Sequence, residues 1–428
     1  MSEKRIFLII LAIYLVLAIG YSIVEPLAEA PDEADHYNYI TYLGQNRSLP
    51  EGTAVTQSKH PPFYHALAAT LTAWTGLDFT FLRSNPDALP LGPDKPPNLF
   101  IHTTLEAFPW RGGALAMHLA RFLSIALGAI TVWGAWRLGS ESFPDRPAIG
   151  LLAAAFLAGL PGFLFISGSV NNDNAAGAFG TLVILLCAMT LRRGLGWRRA
   201  ALIGLFLGLG VLSKVGTLAL WPLVVLAVGL AWWLSPDRKH ALPAAVGQMA
   251  LAWGLGVLIA SPWLLRNMNL YGDPLAWDFV RSTVDQRVGP FAPRDVGWLL
   301  SGFHRTFWGR FGGAGQIELP ILAMTLAGVF TFVVAIGAVR FVVSTIRQSR
   351  NAAAPQFLLL SAAPLLVFLS VVRYSAIALG TDQARLMFPA LAAMAVWVGV
   401  GLVGLVRRPL CANANARRSL HACLLYTS

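Results

Sequence analysis

Four ionisable residues fall within five positions of the stretch AEAPDEADHYNYI: Asp32, Glu33, Asp35 and His36. Carboxylates packed this closely beside an imidazole can deprotonate an attacking hydroxyl or amine, one acting as general base while a neighbour binds the acceptor. Asp32 and Glu33 are the candidates for that catalytic work, with His36 beside them for the acceptor. The same two acids are the candidates for a Mg2+ or Mn2+ ion, although no ligand spacing demands one. A plainer role is also open, because Pro31 suits the first turn of a helix and acids there complement its dipole. The two roles are compatible, since a helix start holds its side chains rigidly.

Further sets extend the chemistry. In QSKHPPFYHAL the Pro-Pro pair fixes an extended entry into a helix. It places Lys59 where it could meet a phosphate, and His60 and Tyr64 where they could line an acceptor site. SGSVNNDNAAG is a short turn dense in amides, with Asn172 and Asp173 as candidates for sugar hydroxyls; Asn and Asp are equally the default residues of turns. Lys214, Arg266, Arg373 and Arg385 stand at the ends of apolar runs, where a cation is costly and tends to face a cavity or an anion. Of these, Lys214, Arg266 and Arg385 join Lys59 as candidates for a lipid phosphate, for which guanidinium forks are well suited. FHRTFWGRFGG adds His304, Arg305, Trp308 and Arg310, aromatics mixed with cations, as an interfacial belt or a sugar-stacking surface.

The elements that must position these residues are membrane spans. The chain has 428 residues, 56% hydrophobic and 12% charged, about half the charge of an average soluble domain. Apolar runs near the roughly 20 residues needed to cross a bilayer recur along its length. Ten spans are expected: 6–24, 114–136, 149–167, 175–191, 200–212, 215–234, 246–263, 319–339, 356–372 and 386–406, the fifth of them short. With the N-terminus in the cytoplasm, the inner segments hold more than half of the 32 Lys and Arg but only the acids Glu3, Glu141, Asp145 and Asp237. That bias places both termini inside. It also explains the net charge of +11 without nucleic acid, since no basic-aromatic face is gathered. A signal peptide ending at Ala28-Glu29-Ala30 is the alternative for the first run, which is long for a signal core. Two outer loops, 25–113 and 264–318, exceed what a connection needs, so the chemistry belongs on the outer face. Gly204 and Gly208 form a small-xxx-small pair suited to close helix packing. The three cysteines, Cys187, Cys411 and Cys423, staple no outer loop. Residues 409–428 carry neither a span nor a domain, leaving 1–408 as one transmembrane unit.

PDEADH, KHPPFYH, LFISGSVNNDN, PWLLRNMNLYGDP, FWGRFG and TDQARLMFP follow one another in the order found in one group of proteins. On them the chain resembles the GT-C superfamily of membrane glycosyltransferases, and is similar to the dolichyl-phosphate-mannose protein mannosyltransferase (family 39) type, in a bacterial branch with a PDE-x-x-H first-loop motif. The resemblance implies an all-α, multi-span fold whose first outer loop carries short juxtamembrane helices. It also implies an inverting transfer of a sugar from a polyprenyl-phosphate donor to a lipid, glycan or protein acceptor, on the outer or periplasmic face of the inner (plasma) membrane. The essential first-loop acid would fall on Asp32, and the lysine before the Pro-Pro pair on Lys59. Many members carry a further outer domain or more spans after the matched region, and none is expected within residues 409–428. The rival readings are a transporter or flippase of a lipid-linked saccharide, which would want ionisable groups at mid-membrane, and a non-catalytic envelope-assembly subunit.

Overall fold

The structure is a computed structural model that describes residues 1–88, 98–347 and 353–406. The expected tail at 409–428 lies outside them. Apolar stretches bounded by Gly, Pro and charged turns form the spans. α1 (Glu3–Val24), 22 residues or about 33 Å at 1.5 Å per residue, is capped by Ser2 Oγ, which accepts from Arg5 N. Glu3 accepts from Trp136 Nε1 at 2.7 Å and Ser140 Oγ at 3.0 Å, so the inner end of α1 is tied to α4 (Gly112–Ser142). Tyr14 of α1 is fully buried against α4, donating to the Ile125 carbonyl. The first apolar run is thus packed into the bundle.

α5 (Ala148–Ala158) and α6 (Pro161–Ser167) form one bent pair, broken by 64° where Pro161 opens the second piece, since proline cannot donate the bond that would continue the first. α7 (Asp173–Arg193) is the most enclosed span, packed on α4, on α8 (Trp197–Ser213) and on α9 (Trp221–Trp233). A 3-10 helix, Val215–Leu220, leads into α9. α10 (Arg238–Tyr271), α13 (Ile321–Arg347), α14 (Ala354–Ser375) and α15 (Leu391–Leu405) complete the bundle, the last entered through the 3-10 helix Ala384–Ala390. Among the described residues eight helices are long and apolar enough to cross a membrane, nine with the bent pair. The remaining expected span, the fifth, is α8, whose 17 residues reach about 26 Å, short of the ~30 Å hydrocarbon core. Gly204 and Gly208 let α8 lie against α10, for a Cβ on either would come within 2.6 Å of Ala252 O or Ile259 Cβ.

The first outer loop is ordered by α2 (Glu33–Asn46), the 3-10 helix Thr56–Lys59 and α3 (Phe63–Thr72). The second holds α11 (Trp277–Ser282) and α12 (Pro293–Trp308), then a hairpin pairing β1 (Arg310–Phe311) with β2 (Ile317–Glu318). Counting crossings along the chain, both loops, the α6–α7 turn, Lys214 and the segment before α15 emerge on one face.

Candidate active site

Four of these emerging segments meet in a chain of alternating charge. Asp32 precedes α2 in the left-handed region, at φ 62°, a conformation that a short polar side chain tolerates. Its side chain is 44% exposed and accepts from Arg385 Nη2 at 2.5 Å. Arg385 Nη1 donates to Asp173 Oδ2 at 3.2 Å, and Lys214 Nζ to Asp173 Oδ1 at 2.5 Å. Each member is fixed by its element. Gln383 Oε1 accepts from Arg385 Nε at 2.7 Å, and the 3-10 helix bearing Arg385 lies close on α7 at Gly180, where a Cβ would come within 2.2 Å of Pro389 O. Asp173 opens α7 with its N–H held by Asn171 Oδ1, and Asn172 Nδ2 donates to Ser213 O, beside Lys214. Asn171 Nδ2 reaches the Pro31 carbonyl at 3.2 Å.

Burial, the largest single influence, would raise the Asp32 carboxyl; Arg385, His36 and Lys214 together outweigh it and hold the group well below the usual carboxylate range. Desolvation lowers Lys214 against the pull of Asp173, and lowers Lys59 against Asp32 and Asp35. Lys59 Nζ donates to the Thr283 carbonyl at 3.3 Å, which joins the two outer loops. Asp35 is raised, by burial first and by Asp32 second.

Beside this cluster is a group of three imidazoles. His36 Nδ1 lies 2.8 Å from His65 Nε2, and the His36 and His60 rings are 5.8 Å apart. Burial depresses all three, His65 to about 3, so they are neutral at physiological pH. His65 was not among the sequence candidates. The signal that could have found it is its place in α3, four residues before the apolar Ala69, on the helix face that meets α2.

Other candidates stand elsewhere than expected. Glu33 is fully buried and saturated: it accepts from Arg121 Nε at 2.8 Å, Arg121 Nη2 at 2.7 Å, Val170 N at 2.8 Å and Ala28 N at 3.0 Å. It has no oxygen to offer an acceptor or a metal, which corrects the catalytic and metal roles expected of it. Asp32 and Glu33 therefore do not fit a shared ion, and among the described residues no group of three or more His, Cys, Asp or Glu is placed to hold one. Tyr64 is also enclosed, its hydroxyl 2.7 Å from Ser124 Oγ and accepting from Asn171 N at 3.0 Å, so it braces the turn before Asp173 rather than facing an acceptor. Arg266 donates to the Pro50 carbonyl at 2.7 Å and lies over Trp263, and Arg373 lies over Trp277. Neither joins the charged chain.

A cavity of about 500 Å3 opens against Pro31 and Arg385, walled by α6, α12, the β1–β2 hairpin and residues 380–388.

This is the fold of the GT-C membrane glycosyltransferases. The family profile of dolichyl-phosphate-mannose-protein mannosyltransferases matches residues 113–265. The Archaeoglobus fulgidus oligosaccharyltransferase in its apo form aligns over 99% of this chain and 54% of its own, with 15% identity and a TM-score of 0.55. ArnT from Cupriavidus metallidurans bound to undecaprenyl phosphate aligns over 98% of this chain and 62% of its own, with 14% identity and a TM-score of 0.55. The chain thus spans between half and two thirds of the length of these structures. No curated protein sequence matches it.

Proposed function

We propose that the protein transfers a sugar from a polyprenyl-phosphate donor to an acceptor hydroxyl on the outer face of the plasma membrane, with inversion. The observation that carries this reading is the run Asp32–Arg385–Asp173–Lys214 at the mouth of the bundle. A polyprenyl phosphate already provides the leaving group, so the reaction needs cations for the departing phosphate and one carboxylate for the acceptor proton. Arg385, Lys214 and Lys59 supply the first, and Asp32, the exposed carboxylate of the set, the second. Two structures of the same fold support the donor class: ArnT was solved with undecaprenyl phosphate, and AglB from Archaeoglobus fulgidus (14% identity, TM-score 0.51) with a dolichol-phosphate and an inhibitory peptide.

The resting ion pair suggests an order of events. While Arg385 holds Asp32, the carboxylate is a weak base. A phosphate drawing Arg385 and Lys214 toward itself loosens that hold, so Asp32 gains proton affinity when the donor is in place. Asp173, paired with both Lys214 and Arg385, keeps the cations aimed at the mouth. His36 and His60, uncharged, offer ring nitrogens beside the attacking hydroxyl without competing for the phosphate.

The test is release and transfer of radiolabelled sugar from a panel of polyprenyl-phosphate sugars by the protein in lipid. Turnover by wild type that Asp32→Asn and Arg385→Ala lower by orders of magnitude supports the reading, and Arg266→Ala should retain it. A folded wild type that acts on no donor overturns it.

A further inference from the structure

The cavity beside Asp32 has a composition that the charged chain does not explain. Its charged lining is two arginines, Arg310 and Arg385, and two carboxylates, Asp285 and Asp382, which sums to no net charge. A neutral lining gives a phosphate no electrostatic gain over water. Phe165, Phe307 and Phe388 complete the wall with ring faces. Planar guanidinium and carboxylate groups that pair with vicinal hydroxyls, next to aromatic faces that take the C–H side of a ring, are the chemistry of a sugar site. The volume is within the range of small-molecule sites, roughly 300–1,000 Å3.

The polar groups are held in place. Asp382 Oδ2 is 3.7 Å from Arg310 Nη1, and its side chain is packed so tightly on α12 that a Cβ at Gly302 would come within 2.4 Å of Asp382 Cβ. Arg310 is braced from the hairpin, its Nε donating to the Gly315 carbonyl at 2.9 Å and lying 3.2 Å from Glu318. Thr306 Oγ1 accepts from Ala384 N at 2.8 Å, which locks the segment carrying Asp382 and Arg385 onto α12. Gly312 and Gly315, at φ 87° and 66°, turn the hairpin over the opening.

Position then selects which sugar. Of the cations assigned to the phosphate only Arg385 lines the cavity, whereas Lys59, Lys214 and the three imidazoles do not, so the cavity opens away from most of the phosphate-binding charge. In-line displacement brings the nucleophile in opposite the leaving phosphate. We infer that this cavity binds the acceptor, and that the acceptor is a glycan or glycolipid presenting a sugar ring, with Asp382 and Arg310 on its hydroxyls. The inference rests on the reaction proposed above.

The experiment reads binding without donor: saturation-transfer NMR of a panel of methyl glycosides, and in parallel a short Ser/Thr peptide, with the whole protein in nanodiscs. Contact by at least one glycoside is expected, reduced at least tenfold in Asp382→Asn and in Ala314→Trp, the second filling the cavity from an exposed loop position. Both variants are checked for monodispersity. Contact with the peptide alone, or glycoside contact that survives both changes, overturns the inference. A wild type that releases sugar from a polyprenyl-phosphate donor yet contacts no glycoside overturns it too and leaves the reaction standing. Glycoside contact without release from any donor supports the cavity and counts against the reaction.

Discussion

Asp32 and Glu33 are neighbours in the chain and opposites in the fold. Asp32 is nearly half exposed and accepts from one partner, the Arg385 guanidinium. Glu33 is fully buried and accepts four hydrogen bonds, and its partner Arg121 spends all five donors on Glu33 and on the carbonyls of Ser22, Glu25 and Pro26. One carboxylate is poised at the mouth, while the other rivets the first loop to α4 and, through Val170, to the turn that presents Asp173. A reactive group in a membrane protein needs such a fixed counterpart, because a base displaced by an ångström loses orders of magnitude in rate. The left-handed turn at Asp32 is what separates the two: it directs consecutive side chains apart, one to the site and one to the scaffold.

The largest effects should break the pair apart by kind. Asp32→Asn is expected to lower transfer about 10²–10⁴-fold, the usual range for losing a general base, with the melting temperature unchanged or raised, since it removes a carboxylate but no buried bond. Glu33→Gln should do the reverse: a destabilisation of about 3–5 kcal/mol, as for a buried ion pair losing one partner, seen as a lowered melting temperature in detergent, with lost activity following lost protein. Equal stability losses in the two variants would erase the distinction.

Arg385→Ala sharpens the same contrast through pH. Arg385 is the main influence lowering Asp32, with His36 and Lys214 behind it, while burial opposes them. A general base works only when deprotonated, so kcat/KM falls as pH drops through the Asp32 pKa. In wild type that acidic limb should therefore lie below the ordinary carboxylate range. Removing Arg385 raises the Asp32 pKa and moves the limb to higher pH, on top of a fall in kcat from the lost phosphate partner. A limb that does not move would separate Arg385 from Asp32 in solution.

The comparison also shows what a sequence can disclose. Asp32 was visible in a dense first-loop cluster and Asp173 in an amide-rich turn, while Lys214 and Arg385 were visible as cations at the ends of apolar runs, where burial is costly and a partner is needed. The spans were visible for the same reason, down to the shortness of α8. What could not be seen is pairing across the bundle. Arg121 is inside a helix that reads as an ordinary span, and nothing local says that it meets Glu33, 88 positions away. Arg266 and Arg385 look alike as span-end arginines; only packing sends one to the Pro50 carbonyl and the other to Asp32. Asp382 was legible as part of a motif, but its place in a cavity with Arg310 depends on how α12 folds back over the bundle.

Tyr64 offers the finest test, because either side of the comparison could claim it. Its position after the Pro-Pro pair suggested contact with an acceptor, whereas its hydroxyl is buried between Ser124 and the Asn171 N–H. If it belongs with Glu33, Tyr64→Phe leaves that N–H and the Ser124 hydroxyl without their partner, at a cost of about 1–3 kcal/mol. The acceptor KM should then change little, because no group facing the mouth has been removed. If it belongs with Asp32, the same variant keeps its stability and raises KM. The side chain sits two residues from Asp173 through one hydrogen bond, so a modest fall in kcat alongside the stability loss is the expected pattern, and thermal denaturation with acceptor titration on the same preparation distinguishes the two.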